Sequence, residues 1–275
     1  MELEQAAERV IEAQVVREKR VHKKDSRVNV GGAAIDPLTF ADAIWSIGQH
    51  ILTGAPPAYA VTPNAQHVVI LHSDPRLRAV YDDAQFVFAD GMSLLMAARL
   101  LGHKLPERVT GVDLFEALCF ESAKLGFRIF LLGGVPGAAE RATSALKDRN
   151  PGINIAGSYC PPPGFERDVG ETHRILELVR ASHSDLLFVA LGAPKQEYWI
   201  HQHYRNLNVR LSIGIGGALE MVAGIVPRAP KVFQNLGLEW LFRLSAEPRR
   251  LWKRYLIGNL SFVKIVGRQW LRSDT

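Results

Sequence analysis

Short apolar runs alternate with amphipathic segments from residue 28 to about residue 213. The runs are rich in Val, Ile, Leu and Phe, which are favoured in strands buried on both faces. The candidate strands are residues 59–61, 86–88, 128–132, 153–157, 186–190 and 209–213. The candidate helices between them include residues 112–124, 137–148, 171–182 and 195–204. This alternation predicts an α/β fold, in which helices cover both faces of a mostly parallel, Rossmann-like sheet.

A polar or glycine-rich turn follows each of five candidate strands. The turns are Thr62-Pro63-Asn64, Ala89-Asp90-Gly91 and residues 133–137, 191–197 and 214–217. Each turn alone has a structural reading, since Thr and Asn cap helices and glycines form tight turns. In an open parallel sheet, however, ligands bind beyond the carboxyl ends of the strands. Five such turns at one edge therefore predict a ligand site there. The stiff segment Pro161-Pro162-Pro163-Gly164 is predicted to be a loop beside the edge of the sheet.

Asp90 is the sharpest single candidate in these turns. It follows an apolar strand directly and precedes Gly91 and an apolar helix at 92–100. Its carboxylate can cap backbone amides, or it can take a proton from an attacking hydroxyl. Both roles stay open at this point.

Other residues of the turns suit an anionic ligand. Gly133-Gly134 and Gly216-Gly217 permit close backbone approach to phosphates, although such glycines are weak evidence alone. Arg108 and Lys195 are candidate cationic contacts to a diphosphate.

The last fifty residues have a different composition from the rest of the chain. They carry ten Lys or Arg against three acids, a net +7, whereas the whole chain is +5. Their Trp, Phe and Leu residues interleave with the cations, which suits an anionic membrane surface better than nucleic acid. The alternative is a terminal helix that packs on the core with a solvated basic face. We expect Gly258-Asn259 to divide this basic amphipathic segment into two helices.

These patterns divide the chain into a charged extension at 1–27, an α/β core at 28–226 and a basic tail at 227–275. The extension lacks the apolar segment of a secretory signal, and no run is long and apolar enough to cross a bilayer. The two cysteines, Cys119 and Cys160, have neither metal-site spacing nor a disulfide framework. The sequence also lacks a P-loop, a dinucleotide fingerprint and an Asp-x-Asp motif. From the missing secretory signal and the missing disulfide framework, we expect a protein that faces the cytosol.

Taken together, the motifs resemble those of the WecG/TagA/CpsF glycosyltransferases of bacterial surface-polysaccharide assembly. The resemblance covers residues 28 to about 259, in order. It is carried by Val61-Thr62-Pro63-Asn64, Ala89-Asp90-Gly91, Arg108-Val109-Thr110-Gly111-Val112-Asp113, Leu131-Leu132-Gly133-Gly134, Leu191-Gly192-Ala193-Pro194-Lys195-Gln196-Glu197, Gly214-Ile215-Gly216-Gly217, Arg228-Ala229-Pro230, Gly237-Leu238-Glu239-Trp240 and Glu247-Pro248-Arg249-Arg250.

The resemblance implies an inverting transfer of a sugar from a UDP-sugar to a polyprenyl-diphosphate-linked saccharide, without a metal or other cofactor. Asp90 matches the proposed general base of the family, and Thr62 and Asn64 match residues lining the same pocket. Arg108 and Gln196 match positions near the donor or the acceptor. Where the family often carries Asp after the second glycine pair, this chain has Glu220, whose side chain is one methylene longer.

The tail resembles an appendage that docks on the membrane and completes the site. Its candidates for holding the lipid diphosphate or the UDP leaving group are Arg243, Arg249, Arg250 and Arg254. The resemblance places the protein peripherally on the inner face of the bacterial cytoplasmic membrane. The apolar face of the tail can also drive self-association in solution.

Two other functions remain open from the residues. A nicotinamide-dependent oxidoreductase would use a similar sheet, although the missing dinucleotide fingerprint argues against it. A non-catalytic nucleotide-sugar-binding protein recruited to membrane by its tail would fit the charge pattern. The sequence leaves the transferred sugar, the linkage and the pathway open.

Overall fold

The computed structural model describes residues 26–235, 238–246 and 248–273. Its strands are β1 (Val28–Val30), β2 (Ala33–Ile35), β3 (Ala58–Val61), β4 (Phe86–Val87), β5 (Arg128–Gly133), β6 (Asn154–Tyr159), β7 (Leu186–Ala190) and β8 (Leu211–Gly214). The last six form one parallel sheet in the order β4-β3-β8-β7-β5-β6, while β1 and β2 form an antiparallel hairpin.

The described helices surround this sheet. They are α1 (Phe40–Leu52), α2 (Ala65–Ser73), α3 (Pro75–Asp83), α4 (Met92–Leu100), α5 (Gly111–Leu125), α6 (Ala138–Arg149), α7 (Val169–Ser182), α8 (Lys195–His203), α9 (Ala218–Val222), α10 (Lys231–Asn235), α11 (Glu239–Ala246) and α12 (Pro248–Ser273). The prediction of an α/β fold with a parallel sheet between two helical layers is confirmed.

Two apolar cores lie on opposite faces of the sheet. In β3 the side chains alternate: Tyr59 and Val61 pack with α2, α3 and α4, whereas Ala58 and Ala60 pack with α1 and α5. Both sets are buried, so the strand is apolar at every position. This is why the central strands could be recognised from short apolar runs.

The two edge strands of the sheet, β6 and β4, differ in how they are covered. The half-exposed strand β6 forms one edge, and the predicted proline-rich loop follows it directly. At the other edge the β1–β2 hairpin, which the sequence did not predict, leads into Asp36. The backbone N–H of Asp36 donates to Val87 O at 2.9 Å, and its carboxylate accepts from Val87 N at 2.7 Å. Asp36 thereby occupies hydrogen-bonding groups of β4 that would otherwise be unpaired at an edge.

Arg27 completes this arrangement. Its Nε donates to Asp36 Oδ1 at 2.7 Å, and its Nη2 donates to the carbonyl oxygens of Ala84 and Gln85. The buried carboxylate of Asp36 is therefore paired with a cation that is itself hydrogen-bonded. Residues 1–25 of the predicted N-terminal extension lie outside the described residues.

The predicted break in the tail helix is wrong, because α12 runs without interruption through Gly258 and Asn259. Gly258 is buried where α12 crosses α2, and a Cβ there would lie 2.5 Å from Gln66 Oε1. The glycine therefore permits close approach of two helices rather than ending one.

The C-terminal half of α12 is docked on the core. Phe262 and Val266 are buried in the same cluster as α2 and α4. Gln269 accepts a hydrogen bond from Gly31 N at 2.7 Å and donates one to Asn29 O at 2.9 Å. This packing matches the structural alternative considered for the tail.

A second apolar stripe on α12 remains exposed. Leu260, Val263, Trp270 and Leu271 are 59%, 65%, 41% and 65% exposed. At 100° per residue they fall within about 100° of arc, beside the exposed cations Lys264 and Arg268. The helix thus has a docked face and an outward apolar stripe flanked by positive charge.

None of the helices in the described part of the chain is long and apolar enough to cross a membrane.

The docking of α12 gives a stability prediction. Phe262→Ala should lower the free energy of unfolding by about 3 kcal/mol, because a buried ring is lost and a cavity remains. The neighbouring change Val263→Ala is the matched control and should cost less than about 0.5 kcal/mol, since Val263 is largely exposed. Urea denaturation followed by circular dichroism measures both. Equal losses in the two variants would contradict the docked arrangement.

Candidate active site

The carboxyl ends of β4, β3, β8, β7 and β5 lie side by side at one edge of the sheet. The five turns singled out in the sequence follow these strands in that spatial order. The turn after β3 and the turn after β4 are directly linked, because Asp90 N donates to Pro63 O at 2.7 Å. The expected convergence of polar turns is therefore present in the fold.

Asp90 is half-buried at this edge, just before α4. Burial is the largest influence on its carboxyl and raises its pKa to about 6. The carboxylate of Glu239 raises this pKa further, whereas the Arg108 guanidinium opposes the shift. The backbone N–H of Gly111 also stabilises the charged form. Asp90 is thus mostly ionised at pH 7 and can accept a proton, but it becomes protonated as the pH falls through about 6.

Arg108 and Glu239 form the charged neighbourhood of Asp90. Arg108 Nη1 lies 3.5 Å from Glu239 Oε2, and both side chains are largely buried. The other oxygen of Glu239 has no hydrogen-bond partner. Glu239 is the first residue of α11, so the tail places a carboxylate beside the candidate base. Sequence reasoning placed Glu239 in a motif of the tail, Gly237-Leu238-Glu239-Trp240, but did not predict that its carboxylate lies beside Asp90.

Thr62 and Asn64 lie in the turn between β3 and α2. Thr62 is buried. The side-chain oxygen of Asn64 accepts hydrogen bonds from Gln66 N and His67 N, and so caps α2. The capping role considered for Asn64 is therefore present, and its expected place in a substrate pocket stays a prediction.

The first glycine pair holds the turn after β5 close to β7. A Cβ on Gly133 would lie 2.5 Å from Ala190 O, and Gly134 N donates to that same oxygen at 2.8 Å. A Cβ on Gly134 would also meet Leu219 at 2.8 Å. Because the Gly134 amide already donates to Ala190 O at the end of β7, the expected phosphate contact of Gly134 stays a prediction.

The second glycine pair follows β8. Gly216 N donates to Gln196 Oε1 at 3.0 Å, and Gly217 precedes the short helix α9. Within α9, the half-buried Glu220 has one carboxylate oxygen without a hydrogen-bond partner. Glu220 lies near Gly134 and Cys160 and raises the pKa of the Cys160 thiol, although burial contributes more to that shift. Glu220 therefore stands across the edge from Asp90, among the turns of β5 and β8.

Lys195 and Gln196 begin α8 but have different environments. Lys195 is half-exposed and its Nζ lies 2.5 Å from Glu166 Oε1, beside the proline-rich loop. Gln196 is 4% exposed and forms hydrogen bonds with Gly216 and Glu197.

A buried polar cluster lies behind Asp90. It consists of His67, Glu197 and the phenol of Tyr81, and the sequence did not single out these three as site residues.

The tail is anchored near this edge by Arg228. Its guanidinium lies 2.6 Å from Asp113 and 3.4 Å from Glu116, both on α5. The backbone of Arg243 lies in α11 and that of the other tail arginines, Arg249, Arg250 and Arg254, lies in α12. The side chains of all four are outside the described part of the structure.

An open groove of about 780 Å³ adjoins Arg108 on the side of α4 and α5. Its lining mixes apolar side chains with carboxylates and is formed by Phe40, Met92, Leu95, Pro106, Glu107, Arg108, Asp113, Glu116, Ala117, Phe120 and Gln234.

Within the described ranges, no three His, Cys, Asp or Glu side chains are grouped as metal ligands would be. Metal-independent chemistry remains an expectation.

The position of Glu239 gives a titration prediction. Glu239→Gln should lower the pKa of Asp90 below about 6, because a nearby negative charge that disfavours ionised Asp90 is removed. Carbon-13 NMR of protein labelled at aspartate carboxyls follows the titration. Glu177→Gln, at an exposed ion pair on α7, is the control and should leave the midpoint unchanged. An unchanged midpoint in Glu239→Gln would mean that α11 does not sit beside Asp90.

Comparisons with known proteins agree with these motifs. One relative is the N-acetylglucosaminyldiphosphoundecaprenol N-acetyl-beta-D-mannosaminyltransferase of Bacillus spizizenii. It is 34% identical over 199 residues, which cover 72% of this chain and 75% of the relative. The model of the glycosyl transferase WecG/TagA/CpsF family matches residues 28–275. The match thus spans the sheet, the candidate site and the tail, and the chain belongs to the WecG/TagA/CpsF family of glycosyltransferases.

Proposed function

We propose that this glycosyltransferase moves a hexose from a UDP-sugar to a polyprenyl-diphosphate-linked saccharide, with inversion and without a metal. The observation that carries the proposal is Asp90, a half-buried residue at the ligand-binding edge of the sheet whose carboxyl has a pKa of about 6. A general base works best when its pKa lies near the operating pH. The product would enter bacterial surface or exopolysaccharide synthesis.

The transfer is a single displacement. The acceptor hydroxyl oxygen attacks the anomeric carbon while its proton passes to the carboxylate of Asp90. The bond between the anomeric carbon and the β-phosphate oxygen of UDP breaks at the same time. Its electron pair leaves with UDP, and attack from the opposite side inverts the anomeric centre.

The negative charge that builds on UDP requires cationic or N–H groups nearby. Arg108 is the described cation beside Asp90, and its present partner is the carboxylate of Glu239. An incoming diphosphate would compete with Glu239 for this guanidinium. We propose that the tail arginines also stabilise the negative charge on UDP, because the resemblance places them near the diphosphate.

The relative from Bacillus spizizenii suggests the substrates. Its name specifies transfer of N-acetylmannosamine to N-acetylglucosaminyl-diphospho-undecaprenol. We propose an N-acetylmannosamine-type donor first and a glucose-type hexose second, with a lipid-linked sugar as acceptor.

We also propose that the protein works peripherally at the inner face of the cytoplasmic membrane. The outward stripe of α12 supports this, because it combines exposed apolar side chains with neighbouring cations. An amphipathic helix of this kind buries its apolar stripe among lipid tails while its cations meet anionic headgroups.

Release of UDP tests the proposed reaction. The purified full chain is incubated with a panel of UDP-sugars, with and without a lipid-diphosphate-linked N-acetylglucosamine. Release that requires both the acceptor and one donor would establish the transfer and identify the sugar. Absence of release from every pair, together with absence of UDP binding in calorimetry, would refute the proposal.

In that assay Asp90→Asn should lower kcat roughly 10²- to 10⁴-fold, because it removes the proton acceptor. UDP affinity measured by calorimetry should be nearly unchanged. The kcat of the wild type should fall as the pH drops through about 6, where Asp90 becomes protonated. Asp148→Asn, at an exposed position of α6, is the control. Full activity of Asp90→Asn would remove Asp90 as the base.

The double variant L260E/L271E should bind vesicles containing phosphatidylglycerol at least about tenfold more weakly. Two apolar side chains that would enter the lipid are lost, and two negative charges are added that the anionic headgroups repel. Co-sedimentation measures the binding. Val169→Glu changes a highly exposed apolar residue on α7 and serves as the control. Unchanged binding of the double variant would locate the membrane contact elsewhere.

A further inference from the structure

A buried polar cluster lies behind Asp90, and the proposed reaction does not use it. His67, Gln196 and Glu197 are 5%, 4% and 3% exposed. His67 Nε2 and Glu197 Oε2 have no hydrogen-bond partner. Burial of an imidazole and a carboxylate is unfavourable unless their mutual arrangement compensates for the loss of water. The contacts of His67 and Glu197 must therefore offset the cost of burying them.

The tautomer of His67 follows from the helix cap. His67 is the third residue of α2, and its Nδ1 accepts a hydrogen bond from Asn64 N at 3.2 Å. A backbone N–H can only donate, so Nδ1 is unprotonated and the neutral ring carries its proton on Nε2. This Nε2 lies 3.6 Å from Glu197 Oε1 on α8. The ring thus stands between the turn after β3 and the start of α8.

The contacts continue from Glu197 to the glycine turn after β8. Glu197 Oε1 accepts a hydrogen bond from Gln196 Nε2 at 2.9 Å. The other end of this amide, Gln196 Oε1, accepts from Gly216 N at 3.0 Å. There is no space for a side chain at Gly214, where a Cβ would lie 2.6 Å from Gln196 Nε2. The amide of Gln196 is therefore held in one orientation.

This series of contacts begins and ends in two turns that are expected to bind different parts of the substrates. One end is Asn64, in the turn whose Pro63 O holds the backbone of Asp90. The other end is Gly216, in the turn expected to lie near the donor diphosphate. These turns follow β3 and β8, which are neighbours in the sheet.

Tyr81 joins the cluster from α3. Its hydroxyl is buried without a hydrogen-bond partner. Burial, followed by the carboxylates of Glu197 and Asp90, raises the pKa of Tyr81 well above its usual value, so the group remains a phenol. The Tyr81 hydroxyl therefore interacts electrostatically with both the candidate base Asp90 and the buried Glu197.

We propose that His67 and Glu197 are positioning residues, which lock the turn that supports Asp90 to Gln196 and the Gly216 turn. The pair keeps the proton acceptor and the donor side of the site in fixed relation during transfer. Small displacements of reacting groups lower rates steeply, so loss of this link should reduce kcat. The catalytic part of this inference rests on the proposed glycosyl transfer.

Two substitutions at His67 separate the link from the helix cap. His67→Asn keeps an acceptor near the position of Nδ1, and so preserves the bond from Asn64 N, but it is too short to reach Glu197. His67→Gln extends an N–H group toward the position of Nε2, and Gln is a usual capping-box residue at this helix position. We expect His67→Asn to break the link and His67→Gln to preserve it.

The first measurement is hydrogen exchange of the Gly216 amide by NMR in the full chain. His67→Asn should accelerate this exchange at least about tenfold, whereas His67→Gln should stay within about threefold of the wild type. Amides of β5 report global stability and should exchange at wild-type rates in both variants. Unchanged exchange of Gly216 in His67→Asn, or equal acceleration in both variants, would overturn the link.

The second measurement is kcat in the UDP-release assay. It should fall about tenfold or more in His67→Asn and recover in His67→Gln. Ser182→Ala removes a buried hydroxyl at the amino end of β7, away from the site, and controls for loss of a buried hydrogen bond. Equal kcat in wild type and His67→Asn would overturn the positioning role. If the wild type itself releases no UDP, the proposed function fails, and the exchange of Gly216 still decides whether the link exists.

Discussion

The parallel pairing of β3 with β4 on one side and β8 on the other determines where the chemistry can occur. The register pairs Ala60 with Phe86 and Ala58 with Leu211. Because all three strands point the same way, the turns that follow them meet at one edge. A shift of β3 by one residue would exchange its two buried faces and move its turn relative to Asp90. The helix caps, the charge neighbours of Asp90 and the buried polar cluster all depend on this pairing.

Much of this arrangement could be predicted because the central strands are buried on both faces. Their apolar runs are recognisable without any periodicity, and the polar residue after each run marks its end. Asp90 and the helix at Met92–Leu100 were located in this way. The hairpin of β1 and β2 was missed because each strand has three residues. Gly258 was misread because a glycine at a helix crossing has the same local sequence signature as one at a helix end.

The electrostatic details were beyond local sequence reasoning for a different reason. Glu239 approaches Asp90 from the tail, and Glu197 approaches His67 across 130 positions of the chain. Nothing in the neighbourhood of either residue indicates its partner. The cap at Asn64 illustrates the point: the Asn could be recognised, but the tautomer that it imposes on His67 matters only once α8 is placed beside it.

The Asp36 contacts at the β4 edge also bear on solubility. A bare edge strand offers a row of N–H and C=O groups to which a second molecule can add a strand, which is a common start of aggregation. Here Asp36 and Arg27 already occupy groups of Val87, Ala84 and Gln85. The Arg27–Asp36 pair thereby leaves fewer backbone groups of this edge open to a second molecule, and so protects it against intermolecular β-sheet growth.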